Sequence, residues 1–332
     1  MRDDLVFSVD YSRILAGVMT LSPDQLSLLL EGTSLSPRQF MEMEGYINWA
    51  DQHRIIANAL RMTPAPGLGL MAGERYSLMT HGLAGVAAMA CPTVLAGMQT
   101  LIRYQPTRAQ FARLALETTA RQLILTFEIT VEQDAVAVFL LEALLVSLMS
   151  SLRFLIGDHV QQVAVDLTLP EPDYNEQYRR HVPGGIRFSQ PQNRVTLPLE
   201  YGQIPVPTRD SNIQRWAVQQ CEQQFQRLQQ ATTFTARTLA ILRQSSGQPT
   251  SQDQIAFMLN VSPRTLLRRL KEEGVTYKQL VDEEQKRLAQ YYLDHTGLTV
   301  ETIAEHIGYH DLSSFRRAFK RWFGMLPSHY PR

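Results

Sequence analysis

The hydrophobic positions of this chain follow two periods. Over most of its length they recur every three or four residues, as on one face of a helix; Arg113 to Glu117 and Gln122 to Val131 alternate or are β-branched, and fit neighbouring strands. Ser22-Pro23-Asp24-Gln25 has the form of a helix start and opens an apolar run through Leu30, which Gly32 ends. Ser36-Pro37-Arg38-Gln39 begins another helix, Tyr46 to Leu60 keeps the helical period, and Pro64 and Pro66 stop it. Thr80 to Gly85 and Cys91-Pro92-Thr93 read as turns and caps, with Val94 to Tyr104 an amphipathic helix. Asp134 to Ile156 is largely apolar all round, which predicts a long helix central to its domain. Gln162 to Leu167 predicts a strand, Tyr174 to Arg180 a short helix, and Ile186 to Ser189 with Val195 to Leu197 a last pair of strands around Pro191-Gln192-Asn193.

These elements imply a two-domain chain. Residues 1–21 are expected to form a tail, partly ordered at best, and 22–207 a mixed α/β (α+β) domain closed by Pro205 and Pro207. A connecting helix over 208–230 follows, in which Ser211 to Gln230 places Trp216, Val218, Cys221 and Phe225 on the apolar side and glutamines elsewhere. Residues 231–332 read as all-α. Phe234 to Leu242 is their first helix, and Ser245-Ser246-Gly247-Gln248-Pro249 separates it from what comes next.

In that last third one pattern occurs twice. Ile255-Ala256-Phe257-Met258-Leu259-Asn260 precedes Ser262-Pro263-Arg264-Thr265-Leu266-Leu267-Arg268-Arg269-Leu270-Lys271; Ile303-Ala304-Glu305-His306-Ile307-Gly308 precedes Asp311-Leu312-Ser313-Ser314-Phe315-Arg316-Arg317-Ala318-Phe319-Lys320. Aligned on Arg268 and Arg317, the copies lie 49 residues apart. Each predicts a short helix, a tight turn and a second helix. Ser262 and Asp311 suit N-caps, and Pro263 fits the first helical position, where a missing donor costs nothing. Asn260 and Gly308 sit where the chain must leave the first helix through a left-handed conformation. Ala256 and Ala304 lack bulk where two helices cross, and Gly274 and Gly324 stop the second helices. Tyr277 to Tyr292 joins the two copies as a stiff helix, suited to spacing two major-groove faces about 34 Å apart.

The second helix of each copy is basic where its apolar residues leave it free. Residues 264–271 hold Arg264, Arg268, Arg269 and Lys271, residues 316–321 hold Arg316, Arg317, Lys320 and Arg321, and neither span has a carboxylate. Such a helix fits the major groove, where arginine can donate two parallel hydrogen bonds to guanine O6 and N7. The competing reading, a solvated basic face on a helical bundle, is weakened by the second copy.

Residues 231–332 resemble the DNA-binding domain of the AraC/XylS family of transcription regulators. The resemblance rests on Ile307-Gly308-Tyr309, on Ser314-Phe315-Arg316-Arg317-Ala318-Phe319-Lys320-Arg321-Trp322-Phe323-Gly324 with Pro327 and Tyr330, and on Ser262 to Gly274. It implies base-facing side chains at Arg264, Leu267 and Arg268 and at Leu312, Ser313 and Arg317. Leu267 and Leu312 depart from the polar residues often found there, so thymine-methyl contact or none is expected of them. Arg269, Lys271, Arg316, Lys320 and Arg321 are the phosphate candidates, lying further round or along the helices. Residues 22–207 resemble more loosely the arabinose-binding-type N-terminal domain of the same regulators. That likeness is carried by Gly67-Leu68-Gly69-Leu70, Gly82-Leu83-Ala84-Gly85, Pro92-Thr93, Leu101-Ile102-Arg103-Tyr104, Pro172 with Tyr178, and Phe188 to Asn193. It implies a sensing or oligomerising role without naming a ligand.

Other chemistry has little support. Gly67 to Gly73 lacks the preceding strand and the Gly-Lys-Ser/Thr ending of a phosphate loop and reads as a close-packed helix–loop junction. The eight histidines are scattered; His306 and His310 straddle Gly308 and cannot share a helical face. No catalytic or metal residue is assigned and no cofactor is implied. Glu142 reads as a satisfied polar contact in an apolar helix, or as the polar end of an effector pocket.

Length and charge agree with this division. The 332 residues suit two domains, and a formal net charge of zero conceals 14 Lys/Arg against 10 Asp/Glu in residues 231–332. Only that part has an electrostatic case for a polyanion. Cys91 and Cys221 form no disulfide framework, the N-terminus lacks a signal-length apolar run, and Ala135 to Met149, with Glu142 inside it, is too short and interrupted to span a bilayer. The expectation is a cytoplasmic, sequence-specific transcription regulator. Its partners would be double-stranded DNA, a small-molecule effector, a second copy in a homodimer, and RNA polymerase if it activates; no membrane is implied. An enzyme fused to a DNA-binding domain and a nonspecific architectural protein are the alternatives.

Overall fold

A computed structural model describes every residue except 1–4, 64, 232, 245–249, 260, 310, 331 and 332. The expected stop at Pro64, the loop Ser245 to Pro249, the turn at Asn260, and His310 lie outside the described residues. The chain divides into two compact units, Met1–Gln226 and Arg227–Arg332.

The first unit opens with β1 (Val6–Ser8), α1 (Val9–Val18), α2 (Pro23–Leu29), α3 (Pro37–Glu42), β2 (Tyr46–Asn48), α4 (Trp49–Met62), α5 (Leu68–Arg75), α6 (Leu83–Met89) and α7 (Val94–Tyr104). It continues with β3 (Ala112–Thr118), β4 (Gln122–Ile129), α8 (Ala135–Ile156), β5 (Ala164–Asp166), α9 (Asn175–His181), β6 (Ile186–Arg187), β7 (Arg194–Pro198) and α10 (Ser211–Ala231), inside which the division falls. The sheet order is β3-β4-β7-β5-β6, antiparallel except for the β5–β6 pair. In β4 the period of two is plain: Leu123, Leu125, Phe127 and Ile129 are buried. Ser22 and Ser36 each close a capping box, with Gln25 and Gln39 as the reciprocal partners.

α8 is the core of this unit. At 22 residues it is long and apolar enough to cross a bilayer, longer than its first fifteen residues suggested. Burial accounts for its composition, since α4, α5, α9 and β4 pack around it. The closest approach is that of α5: a Cβ on Gly69 would lie 2.5 Å from the Phe139 carbonyl oxygen, and one on Gly73 2.7 Å from the Val146 Cβ. Gly67 to Gly73 is therefore a helix laid on α8 rather than a helix–loop junction, begun by Gly67 at φ 84°.

Four further expectations change. Residues 5–21 are no tail: β1 pairs with β2, and Phe7, Val9 and Leu15 are buried in the main core. A strand of three residues shows no readable period; its partner, Tyr46–Asn48, and the bridge from Phe7 to Ala109 fix it. That partner shortens the expected helix, which begins at Trp49 behind an Asn48 cap. Leu83–Met89 is helical where turns were expected. Trp216 is 54% exposed; α10 packs through Ala217 and Cys221, with Val218 and Phe225 beside them.

The second unit contains α11 (Phe234–Gln244), α12 (Gln252–Met258), α13 (Pro263–Glu272), α14 (Tyr277–His295), α15 (Val300–His306) and α16 (Leu312–Phe323). It has two small cores. Ile255, Ala256, Leu266, Leu270 and Leu280 belong to one; Leu288, Leu293, Ile303, Phe315 and Phe319 belong to the other. α14 thus contributes one end to each.

Candidate nucleic-acid interface and cavity

Each copy of the repeat forms by the local signals it carries. Ser262 accepts the Thr265 backbone N–H and Asp311 the Ser314 N–H, so both second helices start from a side-chain cap. The turns match as well: Val261 N–H donates to Ala256 O at 3.0 Å and Tyr309 N–H to Ala304 O at 2.9 Å. Gly308 takes φ 87°, a left-handed conformation that a β-branched residue adopts only under strain. Gly274 and Gly324, at φ 79° and 74°, end α13 and α16.

With Leu266 and Leu270 turned into the core, helical spacing leaves Arg264, Leu267, Arg268 and Lys271 along one exposed stripe of α13. Phe315, Ala318 and Phe319 do the same for α16, leaving Ser313, Arg316, Arg317 and Lys320 exposed. The two leucines differ. Leu267 is 43% exposed, whereas Leu312 is half-buried and packs on the second core.

The basic side chains fall into two sets. Arg268 donates to Glu272 at 2.7 Å, Arg269 stands 3.7 Å from the same carboxylate, Arg317 donates to Ser314 Oγ at 3.1 Å, and Arg321 pairs with Asp282. Among the described residues Arg264, Lys271, Arg316 and Lys320 have no ion-pair partner. Exposed pairs of this kind are weak and give way readily to a phosphate or a base edge.

The sequence did not reveal the braces behind these helices. Asp282 of α14 accepts both Arg321 and, at 2.9 Å, the Trp322 indole N–H, while Gln285 donates to Ile307 O at 3.0 Å and accepts from Tyr309. Between these two residues on α14, buried Glu284 holds Arg243 of α11 and Arg287. Glu273, just past α13, accepts the Phe234 and Thr235 backbone N–H groups, each at 2.8 Å, and so caps α11 from 39 residues away. Burial alone would raise its pKa; the hydrogen bonds from Thr235 and Phe234 outweigh it and hold the carboxyl below its usual range. Arg269 lies over the Phe234 ring, 5.8 Å from its centre, tying the same junction to α13. Glu273→Gln keeps the shape but loses the charge at a helix N-terminus, and is expected to lower unfolding free energy by about 1 kcal/mol. Urea titration measures this, and an unchanged midpoint would remove the clamp from the account.

In the first unit Glu142 settles into a structural role. It is 3% exposed, its Oε1 accepts Tyr174 and Tyr178 hydroxyls at 2.8 and 2.7 Å, and the Gly69 and Leu70 N–H groups also bond it. It caps α5, whose own N-cap, Gly67, has no side chain. Burial raises its pKa despite these four donors.

A separate polar chain crosses the unit. Ser147 donates to Tyr76 O at 3.1 Å, so its oxygen accepts from His81 Nε2 at 3.1 Å, and His81 Nδ1 is left to accept the Tyr11 hydroxyl at 2.8 Å. His81, Tyr11 and Ser147 line an apolar cavity with Phe7, Phe111 and Phe139. Burial, then the nearby Arg108 charge, pushes the His81 pKa down to about 4 from 6.5. The unfolded chain therefore binds the extra proton between these values, and stability present above pH 6.5 is lost as pH falls towards 4. The loss attributable to His81 is up to about 3 kcal/mol. His81→Phe is expected to flatten this part of the pH profile in urea unfolding; an unaltered slope would assign it to other groups.

Comparison with known proteins bears on both units. Residues 25–206 match the family described as the arabinose-binding domain of AraC transcription regulator, N-terminal, and residues 255–332 match a helix-turn-helix domain. The chain is 29% identical over 302 residues to the ornithine utilization regulator of Pseudomonas aeruginosa, covering 91% of this chain and 89% of that one. It is 27% identical over 310 residues to the HTH-type transcriptional regulator Rv1395 of Mycobacterium tuberculosis, covering 92% and 90%. It is 25% identical over 295 residues to the regulator VirS of the same species, covering 88% and 84%. These relatives are regulators along nearly their whole length, which removes the reading of an enzyme with a fused DNA-binding domain. A matched N-terminal domain covering more than half the chain, followed by a paired helix-turn-helix unit, places this protein in the AraC family of DNA-binding transcription regulators.

Proposed function

We propose that the protein reads a specific DNA sequence through α13 and α16 and that a small molecule held in the first unit controls this binding. Arg264, Leu267 and Arg268 face bases in one major-groove segment; Ser313 and Arg317 do so in the next, with Leu312 largely withdrawn onto its core. Arg269, Lys271, Arg316, Lys320 and Arg321 hold phosphates on either side. The observation that carries this reading is the duplication itself: two side-chain-capped helices, each with a core face and a basic face, joined by one helix that contributes to both cores. The effector part draws support from the cavity beside His81.

The functional divisions are 22–207 together with residues 5–21, which share its core, for sensing or pairing of protomers, 208–230 as connection and 231–332 for DNA. The partners are duplex DNA, an effector, a second copy in a homodimer and RNA polymerase if the protein activates, in the cytoplasm. Selection of binding sites from random duplexes by the full chain tests the reading. A recurrent motif with two conserved blocks supports it; recovery of unrelated sequences at equal affinity would leave a nonspecific DNA-binding protein.

A further inference from the structure

Two cavities of about 50 Å³ each lie side by side in the first unit and share His81, Gln105, Leu144 and Ser147 as walls. Beyond those residues the first is mainly aromatic, with Phe7, Phe111 and Phe139, and the second aliphatic, with Leu101, Ile102, Leu114 and Leu148. Leu144 borders both, and a leucine has other staggered rotamers through which it could open one to the other.

Among the described residues the Ser151 hydroxyl and the Gln52 Nε2 have no hydrogen-bond partner, while most other polar groups of the walls are engaged. Tyr11, His81 and Ser147 bond one another, Tyr76 donates to Tyr11 O at 3.1 Å, Gln105 donates to Ala109 O at 2.6 Å, and Gln52 accepts from Ser12 at 2.7 Å. The tautomer fixed by Ser147 leaves only oxygen lone pairs on the Tyr11–His81–Ser147 chain for a ligand, so that chain can accept hydrogen bonds but donate none. No wall residue carries a charge at neutral pH, with the Tyr11 pKa pushed up to about 12 by burial. The nearest cation, Arg108, sits 5.7 Å from the centre of the Tyr11 ring and is paired with Asp10 at 2.8 Å.

We propose that the two cavities form one binding site for a short apolar molecule ending in a single uncharged hydroxyl, and that they exclude sugars, including the pentose after which the matched domain is described. This rests on the reading of the first unit as the sensor. Each methylene transferred into such walls strengthens binding roughly fourfold. Each hydroxyl that enters without finding a partner weakens it roughly tenfold or more. A pentose brings a hydroxyl on most of its carbons to walls made mainly of these aromatic and aliphatic side chains, more hydroxyls than such walls can partner. A carboxylate or ammonium group loses its hydration with no counter-charge in the walls.

Calorimetric titration of the full chain with n-pentanol, pentanoate, n-pentylamine and L-arabinose compares ligands of equal carbon number. Saturable n-pentanol binding is expected, with the two charged ligands at least roughly tenfold weaker and no binding of arabinose. Leu144→Trp, and from the opposite wall Leu114→Phe, fill the space and are expected to abolish n-pentanol binding without lowering the unfolding midpoint. Arabinose or pentanoate binding more tightly than n-pentanol, no saturable n-pentanol binding, or binding unchanged in both folded variants would overturn the proposal. DNA affinity measured alongside separates it from the sensor reading. If n-pentanol binds and leaves DNA affinity unchanged, the ligand class stands and sensing through this site falls; if arabinose alone shifts DNA affinity, sensing stands and the ligand class falls.

Discussion

Replacing Arg268 and Arg317 together with alanine is expected to weaken the specific complex by about 2–6 kcal/mol, the sum of about 1–3 kcal/mol for each. Additivity is expected because the two arginines sit on helices with separate cores, Leu266 and Leu270 holding one and Phe315 and Phe319 the other. Each is half-free in the unbound chain, Arg268 resting on Glu272 and Arg317 on Ser314. Neither contact anchors a core, so the double variant should fold as the wild type does. Fluorescence anisotropy on a selected site and on its scrambled counterpart measures the effect. Loss confined to the selected site identifies base readers; equal loss on both duplexes would make these arginines phosphate anchors and move base readout to Arg264 and Ser313.

A large effect on stability is expected at Gly69→Val. The new Cβ would meet Phe139 O at 2.5 Å and both the Glu142 Cβ and Oε2 at 2.7 Å, so α5 must move off α8 or Glu142 must leave its site. Overpacking of this kind costs about 1–3 kcal/mol, and displacing a buried carboxylate from its donors adds to it, for a total of at least about 3 kcal/mol. Gly17→Ala is the matched control, since nothing lies within 4 Å of its added Cβ and alanine suits the last turn of α1. Denaturant unfolding should show the control unchanged or slightly more stable. A Gly69→Val protein as stable as the wild type would mean that the contact between α5 and α8 is looser than described.

The contrast between the units explains how much could be read from the chain. In the second unit nearly every determinant is local. Ser262, Asp311, Gly274, Gly308 and Gly324 act within a turn of where they stand, and duplication doubles the signal. What escaped there are pairs made across the fold, such as Glu273 with the start of α11 and Asp282 with Arg321 and Trp322. In the first unit the strong periods of α7, α8 and β4 were legible, whereas β1 and β2, three residues each, exist through pairing with one another and through the bridge from Phe7 to Ala109. Gly67 to Gly73 resembled a loop because glycine is a poor helix former; its glycines serve the crossing with α8, which no local pattern encodes. Trp216 shows the converse. Its spacing with Cys221 and Phe225 suggested a buried face, but the small Ala217 takes that place. An effector pocket was expected, but its walls could not be foreseen, because they come from five separate stretches, residues 7–11, 52, 76–81, 105–111 and 139–147.

The central claim, that one protomer reads DNA through two recognition helices set by α14, is tested most directly by hydroxyl-radical footprinting of the full chain on a selected site, with Arg268→Ala and Arg317→Ala run beside it. The expected result is two protected patches on one face of the duplex about one helical turn, or about 34 Å, apart, with each variant weakening a different patch first. Protection that is uniform along the duplex, insensitive to its sequence and equally reduced by either variant would contradict the account.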